Sequence, residues 1–305
     1  MRVVGIGQCS WDYLAMVDSF PDNDTKAEVS DWQEQGGGPV ATALVTLARL
    51  GIPCDFHGVV GDDPEGEKIR ESLHNEGIGI SGLVRREQAL SQKAFIAIEK
   101  RSAKRTIFWE RPSGMPLLPA ELPEYPFDDC CFLLLDGLMS EISLFAAEKA
   151  RDLGIPVMLD AGKVRPGMLE TAGLCDYLVA SEQFARDLGW TGTPANFQQQ
   201  AKELGAPVIT ITLGAQGSIT FRNSEIITTP AFQVKALDTT GAGDVFHGAY
   251  IFGLLRGLDL ADTIRFASAV AAMKCRHIGG RSGIPDIPEA LRFLTESGTI
   301  VSLQG

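Results

Sequence analysis

Four short runs, CFLLLDG (131–137), PVMLDAG (156–162), DYLVAS (176–181) and PVITITLG (207–214), are apolar almost throughout. In a strand wetted on one side, polar and apolar residues alternate, because successive side chains point to opposite faces. Runs that lack this alternation need cover on both faces, and a parallel sheet between two layers of helices supplies it. RVVGIG (2–7) and CDFHGVVG (54–61) read the same way, the first as a buried opening strand. Helical patterns lie between the strands at 39–51, 64–77, 141–153 and 182–188, the first two closing on Gly51 and Gly77. The prediction is an α/β fold with a mostly parallel central sheet flanked by helices on both faces.

Two segments break the rhythm. Residues 12–35 and about 90–111 trade polar and apolar positions, as in SQKAFIAIEKRSAKRTIFWE, with a turn near KRSAK. They predict a small antiparallel sheet projecting from the body. Such a flap can act as a lid that excludes water from a site, or can form a dimer contact; a plain surface hairpin is the alternative. No repeat, low-complexity tract or linker interrupts the 305 residues. Residues 1–305 are therefore expected to form a single domain with these two lid segments inserted.

Composition narrows the function classes. Hydrophobic residues at 45% and charged residues at 22% give ample material for one large core. A net charge of −12 disfavours nucleic acid and anionic membranes, so a phosphate-bearing ligand needs a local capture site. No stretch approaches the roughly 18 apolar residues of a membrane span. The opening MRVVGIGQCSWD does not read as a secretory signal. Six cysteines (9, 54, 130, 131, 175 and 275) show neither a CxxC nor metal-ligand spacing with the histidines. They are expected to be reduced core thiols, and the chain to work in the cytoplasm.

Two glycine motifs are decoys. GIGISG (77–82) matches a dinucleotide fingerprint letter for letter, but it ends a helix and leads into a strand, the reverse of what that site needs. GIGQCS (5–10) follows a strand but lacks the third glycine and a following helix. No GxxxxGK[ST] exists, which excludes a P-loop.

The stretch LDTTGAGDVFHGAY (237–250) carries the chemistry. A helix of about 14 residues is predicted from Ala242, with apolar positions at Val245, Ala249, Phe252 and Leu255. Its glycine-rich first turn lets backbone N–H groups approach a ligand, and the unpaired N–H groups of a helix start form an anion site. Asp244 in that turn also suits the helix dipole, but a dipole contact does not need two glycines and two threonines before it. The sharper expectation is phosphoryl transfer. The N–H groups hold the charge that spreads over the moving phosphoryl group, and Asp244, taken as ionised at neutral pH, accepts the proton of an attacking hydroxyl.

DTTGAGDVFHGA resembles the C-terminal signature of the ribokinase-like (PfkB) carbohydrate kinases, and GGGPVATALVTLARLGIPCDFHGVVGDDPEG (36–66) resembles their N-terminal signature. The resemblance spans essentially the whole chain. It implies a ribokinase-like fold with a β lid, a small-molecule sugar substrate, and ATP with Mg²⁺. Asp244 matches the catalytic base, and Gly241, Ala242 and Gly243 match the anion hole. Asp12 matches the carboxylate that grips sugar hydroxyls, Gly37 and Gly38 match the glycines where the sugar approaches the backbone, and Lys26 and Thr42 join them as substrate contacts. TLGAQGS (212–218) matches the nucleotide loop, with Thr212, Gly214 and Gly217 as contacts and Ser181 beside them. Asp238 and Thr240, joined by Ser282, match positions that hold a monovalent cation such as K⁺.

The chain also departs from the family pattern. Ala41 stands where many members carry a sugar-binding Asn, and Ser181-Glu182-Gln183-Phe184 replaces an N-x-x-E motif. Residues 230–286 look most like the branch containing bacterial sulfofructose kinase, yet Gly137-Leu138-Met139 offers no basic residue after Asp136 for a sulfonate. Lys26, Arg105, Arg111, Lys163, Arg165 and Arg281 are the candidate anion binders, each more ordinarily a solvated surface charge. A nucleoside kinase, with the Trp109 region lining a base pocket, and a non-catalytic sugar or nucleotide sensor are the alternatives. A homodimer through the flap is a further expectation.

Overall fold

The computed structural model describes residues 1–123 and 126–301. The strands in the first half are β1 (Arg2–Ile6), β2 (Ser10–Val17), β3 (Val29–Gly37), β4 (Cys54–Gly61), β5 (Gly79–Arg86), β6 (Lys93–Glu99) and β7 (Arg105–Glu110). Those that follow are β8 (Cys130–Leu135), β9 (Val157–Ala161), β10 (Tyr177–Ser181), β11 (Val208–Thr212), β12 (Ser218–Arg222) and β13 (Glu225–Thr229). The helices are α1 (Pro39–Arg49), α2 (Pro64–Asn75), α3 (Ser140–Asp152), α4 (Met168–Ala172), α5 (Glu182–Asp187), α6 (Pro194–Glu203), α7 (Ala242–Leu255), α8 (Leu260–Lys274) and α9 (Ile287–Glu296).

The apolar runs form one nine-stranded sheet in the order β13-β12-β11-β10-β9-β8-β1-β4-β5. All its pairings are parallel except those of β11 with β12 and β12 with β13. Each face has its own core. Val40, Leu44, Tyr250, Phe252 and Phe266 pack on one side. Ile142, Ala146, Phe184 and Phe197 pack on the other. Burial of each such Leu or Phe contributes about 1.5–3 kcal/mol, and the helices supply this cover to both faces of the sheet. The hairpin β12–β13 at the sheet's edge has no counterpart in the sequence reading. Its outer strand is mostly exposed and carries no long apolar run.

Local signals set several helix starts. Asp63 accepts from the N–H of Gly66 (2.8 Å) ahead of Pro64, and Asp259 accepts from that of Asp262 (2.8 Å). Asp286 and Glu289 form a capping box at α9. GIGISG runs from the end of α2 into β5. Helix α7 differs from its one-sided prediction, since every residue from Val245 to Gly253 is buried. It lies between α1 and α8, and a helix enclosed in this way is apolar all round.

The second sheet has the order β3-β2-β6-β7. Its outer pairings are antiparallel, whereas the central pair β2–β6 runs parallel because its strands come from separate segments. Residues directly opposite share a face. Register therefore places Asp12, Leu14, Met16, Ala94, Ile96, Ile98, Arg105, Ile107 and Trp109 on one face. Five of these pack with Ile278 of the body. Trp32, Phe95 and Phe108 lie on the opposite face, their rings in a chain at 5.7 and 6.4 Å. All six cysteines are free. Among the described residues no helix is long and apolar enough to cross a membrane.

Candidate active site

In an open parallel sheet, ligands bind beyond the carboxyl ends of the strands, where the strand order reverses. Here β1 is flanked by β8 and β4, and the chain builds outward from it in both directions. Asp136 follows β8 at this point. Its Oδ2 accepts from the N–H of Gln8 (2.7 Å) and its Oδ1 from that of Leu138 (3.0 Å). Burial pushes its pKa up to about 6. Asp160 stands near the end of the adjacent β9, and burial together with Asp136 raises its pKa as well.

Helix α7 enters the same crevice. Its N-cap, Gly241, has φ 72°, and a Cβ there would lie 2.7 Å from the Cα of Gly280. Glycine is therefore required on both conformational and steric grounds. The Ala242 N–H turns back to the Thr239 carbonyl (3.3 Å), and the Val245 N–H makes the first helical bond, to Gly241 (2.9 Å). The N–H groups of Gly243 and Asp244 find no partner among the described residues, which leaves them as anion donors. The Asp244 carboxylate is held above the usual carboxylate range, first by burial and then by Asp160, with His247 opposing. That corrects the expectation of an Asp fully ionised at neutral pH, for desolvation disfavours its charged form.

His247 sits one turn on, its Nδ1 2.6 Å from the Gly243 carbonyl and its Nε2 3.1 Å from that of Val179. Its Nε2 also lies 3.5 Å from Asp160 Oδ1. Burial lowers its pKa, and the ring lies between the first turn of α7 and the sheet.

The end expected to take the acceptor lies under the flap. Asp12 is buried, accepts from Ser10 Oγ (2.8 Å), and is pushed by burial to about 6. A Cβ at Gly37 would lie 2.1 Å from Asp12 Oδ2, so only glycine permits this approach. Arg281, expected as a surface charge, is instead 4% exposed. Its guanidinium donates to the Gly37 carbonyl (3.1 Å), Ser72 Oγ (3.0 Å) and Thr42 Oγ1 (3.4 Å). Thr42 is thus engaged from behind, and Gly38 serves as the N-cap of α1. A cavity of ≈ 160 Å³ beside Gln8 and Cys9 is lined by Trp109, Arg111, Leu138 and Met139, with Arg111 stacked 4.9 Å from the Trp109 ring. Lys26 is exposed on the β2–β3 connection and lines neither this cavity nor the next.

The end expected to take the nucleotide is a cleft of ≈ 260 Å³ beside the start of α7. Thr212, Gly214, Gly217, Ala242 and Gly243 line it together with Phe246, Ala271 and Ala272. Ser181 is not in its lining. The Ser181 hydroxyl accepts from the Phe184 N–H as the cap of α5 and donates to the Gly162 carbonyl (2.7 Å), so a capping role replaces the expected cofactor contact. Between the two ends, Arg105 of β7 donates to Thr239 Oγ1 (2.6 Å) and places a positive charge above the 238–244 loop. Lys163 is exposed beyond β9, and Arg165 is half-buried and close enough to lower the pKa of Asp136.

The expected cation ligands do not fit a bound ion. Asp238 Oδ1 accepts from the N–H and hydroxyl of Thr240 (2.8 and 2.7 Å), and Oδ2 accepts from the Gly279 N–H (2.7 Å). The main-chain carbonyls of Asp238 and Thr240 accept from the Lys274 ammonium, the first at 3.0 Å. Ser282 is half-buried and makes no hydrogen bond among the described residues. No cluster of His, Cys, Asp or Glu among them could hold a metal.

Sequence reasoning passed over Asp136, Asp160, His247 and Lys274 as site residues. A signal existed for the first two, each an aspartate closing an apolar run (LLLDG and VMLDAG). Lys274 showed itself only as a lone charge ending the apolar run AVAAMK.

The pfkB family carbohydrate kinase model matches residues 1–287. The chain is 27% identical over 299 residues to a nucleoside kinase of Methanothermobacter thermautotrophicus, with 96% of this chain and 95% of that one covered. It is 28% identical over 300 residues to a ribokinase of Haemophilus influenzae, with 95% and 97% covered. Ribokinase from Thermotoga maritima superposes with a TM-score of 0.82 at 26% identity, covering 96% of this chain and 99% of that one. Ribokinase from Arabidopsis thaliana, solved with ribose and ATP, gives a TM-score of 0.81 at 23% identity over 96% and 98% of the two chains, a likeness of fold.

Proposed function

The chain belongs to the pfkB family of carbohydrate kinases, and on that premise we propose that it transfers the γ-phosphoryl group of ATP to a hydroxyl of a sugar or sugar derivative. The observation that carries this reading is a half-buried carboxylate, Asp244, in the same helical turn as the free N–H groups of Gly243 and Asp244. A base and an anion hole a few ångströms apart suit an in-line attack.

The acceptor would lie between Asp12 and Asp244, beneath the flap. Asp244 takes the hydroxyl proton as the oxygen–phosphorus bond forms, and the bond to the ADP oxygen breaks. The N–H groups at the start of α7 hold the charge on the moving phosphoryl oxygens. Arg105 adds a positive charge from the flap side. Mg²⁺ arriving with ATP neutralises phosphate charge, which a crevice holding Asp136, Asp160 and Asp244 and a chain of net charge −12 make necessary. The flap face carrying Asp12 and Trp109 would exclude water from the transfer.

A coupled ADP-release assay over sugars, sugar phosphates, sulfosugars and nucleosides, with Asp244→Ala as control, tests the reading. One strong acceptor whose turnover the control abolishes supports it. Stable ATP binding with no acceptor in the panel would favour a sensor. The nucleoside arm has its own support, because Trp109, Leu138 and Met139 give the cavity beside Gln8 and Cys9 an apolar wall suited to a base. For a phosphorylated or sulfonated sugar, the basic group in that cavity is Arg111 rather than a residue after Asp136.

The flap dimer remains part of this proposal. The face available for it holds Trp32, Phe95 and Phe108, at 54%, 39% and 61% exposure. Ile107 lies on the opposite, site-side face, so a charge there would disturb the site instead. Light scattering on Phe95→Glu should show loss of the dimer; an unchanged mass would count against it.

A further inference from the structure

The two carbonyls expected to bind a monovalent cation already face a cation that belongs to the chain. Lys274 is the last residue of α8 and is fully buried. Its ammonium donates to the main-chain oxygens of Asp238 (3.0 Å) and Thr240. The same helix end fixes the loop a second way. The N–H groups of Leu237 and Asp238 both donate to the Cys275 carbonyl (2.8 and 3.2 Å). Asp238 then spans the turn, taking Thr240 on one carboxylate oxygen and Gly279 on the other. Thr240 leads directly into Gly241 and the N–H groups of the anion hole.

We propose that the Lys274 ammonium is a tethered replacement for a monovalent cation, holding the 238–240 turn so that turnover neither requires nor responds to K⁺. The inference rests on the kinase reading for its effect on rate, but not for its effect on binding. A free ion at these carbonyls would have to shed water and be recruited from solution. An ammonium on a side chain is delivered by folding and offers donors that point at the same lone pairs. Its single charge also replaces that of a K⁺ ion beside Asp238 and near Asp244, so the local charge balance is kept. Lys274 is thus a positioning residue. It touches neither acceptor nor nucleotide, and acts through the carbonyls that orient the start of α7.

The test compares KCl with choline chloride at equal ionic strength, in melting temperature without ligands and in ADP release with the best acceptor. The wild-type protein is expected to melt at the same temperature in both salts and to turn over at the same rate within about twofold. Lys274→Ala opens room at the carbonyls. In choline chloride it should lose on the order of 10²-fold in kcat, the cost of about a 1 Å misplacement of the reacting groups. KCl should restore that loss saturably and raise the melting temperature over the same concentrations. Lys274→Met fills the space without donors and should respond to neither salt. A saturable KCl response of the wild-type protein, in melting or in rate, would overturn the proposal. So would a folded Lys274→Ala protein indifferent to KCl in both readouts. Should Lys274→Ala not fold, the wild-type comparison decides alone. A wild-type protein that turns over no acceptor would sink the kinase reading while the melting comparison still judges Lys274.

Discussion

The two ends of the crevice are built on different principles. At the nucleotide end, the cleft is walled by small and apolar residues, among them Gly214, Gly217, Ala242, Ala271 and Ala272, and carries no charged side chain. At the acceptor end, Asp12, Asp136 and Arg281 are all buried, each with hydrogen-bond partners already in place. The difference matches what each end would recognise. A nucleotide brings its own charge and metal and needs a shaped slot with backbone donors. An acceptor hydroxyl is neutral and must be positioned by fixed polar groups, whose desolvation cost is met during folding.

The largest effect expected concerns the residue between the two ends. Asp244→Asn should keep the fold and lower kcat by roughly 10²–10⁴-fold, the share of a general base. Unchanged turnover would remove Asp244 from the mechanism. Its pKa gives the sign of the pH dependence. Only the ionised form accepts a proton, and burial with Asp160 raises the pKa above the ordinary 3.8, so kcat/KM should fall as pH drops from neutral. An acid limb lying at the ordinary value would contradict this. Stability runs the other way. A folded-state pKa raised above the unfolded one contributes stability that is present at acid pH and lost as pH rises through the folded value. Unliganded Asp244→Asn should therefore melt higher than the wild-type protein at pH 8, and a lower melting temperature would argue against a strained buried charge.

The next two substitutions separate the ends. Asp12→Asn should lower kcat/KM for the acceptor by about 10–10²-fold, the value of about one charged hydrogen bond, with the KM for ATP unchanged. Ala272→Phe should do the reverse, raising the KM for ATP by about tenfold through overpacking of the cleft while leaving acceptor binding alone. If either variant shifted both constants together, the ends would be coupled rather than independent. Arg105→Gln should have the smallest effect, a few-fold loss in kcat that fades in high salt, since its contact with Thr239 is exposed. A salt-insensitive loss would point to a steric role for the flap strand.

The nucleotide side and the anion hole were the most legible parts of the site because they are contiguous. DTTGAGD puts the loop, the glycine turn and the carboxylate into seven residues, and TLGAQGS does the same for the nucleotide loop. The acceptor end resisted such reading, for Gln8, Asp12, Gly37, Asp136 and Arg281 come from four separate segments. Arg281 shows the difficulty. In GGRSG it looks like a loop charge, and only the packing of α1 against the 277–283 loop buries it behind Gly37. The cation assignment to Asp238 and Thr240 failed for a related reason. The side chain that takes the site lies 34 residues beyond Thr240, at the far end of α8.

By itself the sequence determined the layering of the molecule. Unbroken apolar strands cannot stand in water on either face, and the glycine-rich start of α7 can hardly serve anything but a close approach to its N–H groups. Tertiary structure alone decided which charges are buried and what state they occupy. Asp244 is held above its ordinary pKa, Arg281 is spent on a carbonyl, and Lys274 stands where an ion was expected. Those outcomes depend on desolvation and on neighbours distant in the chain, and both come into being only when the strands and helices pack.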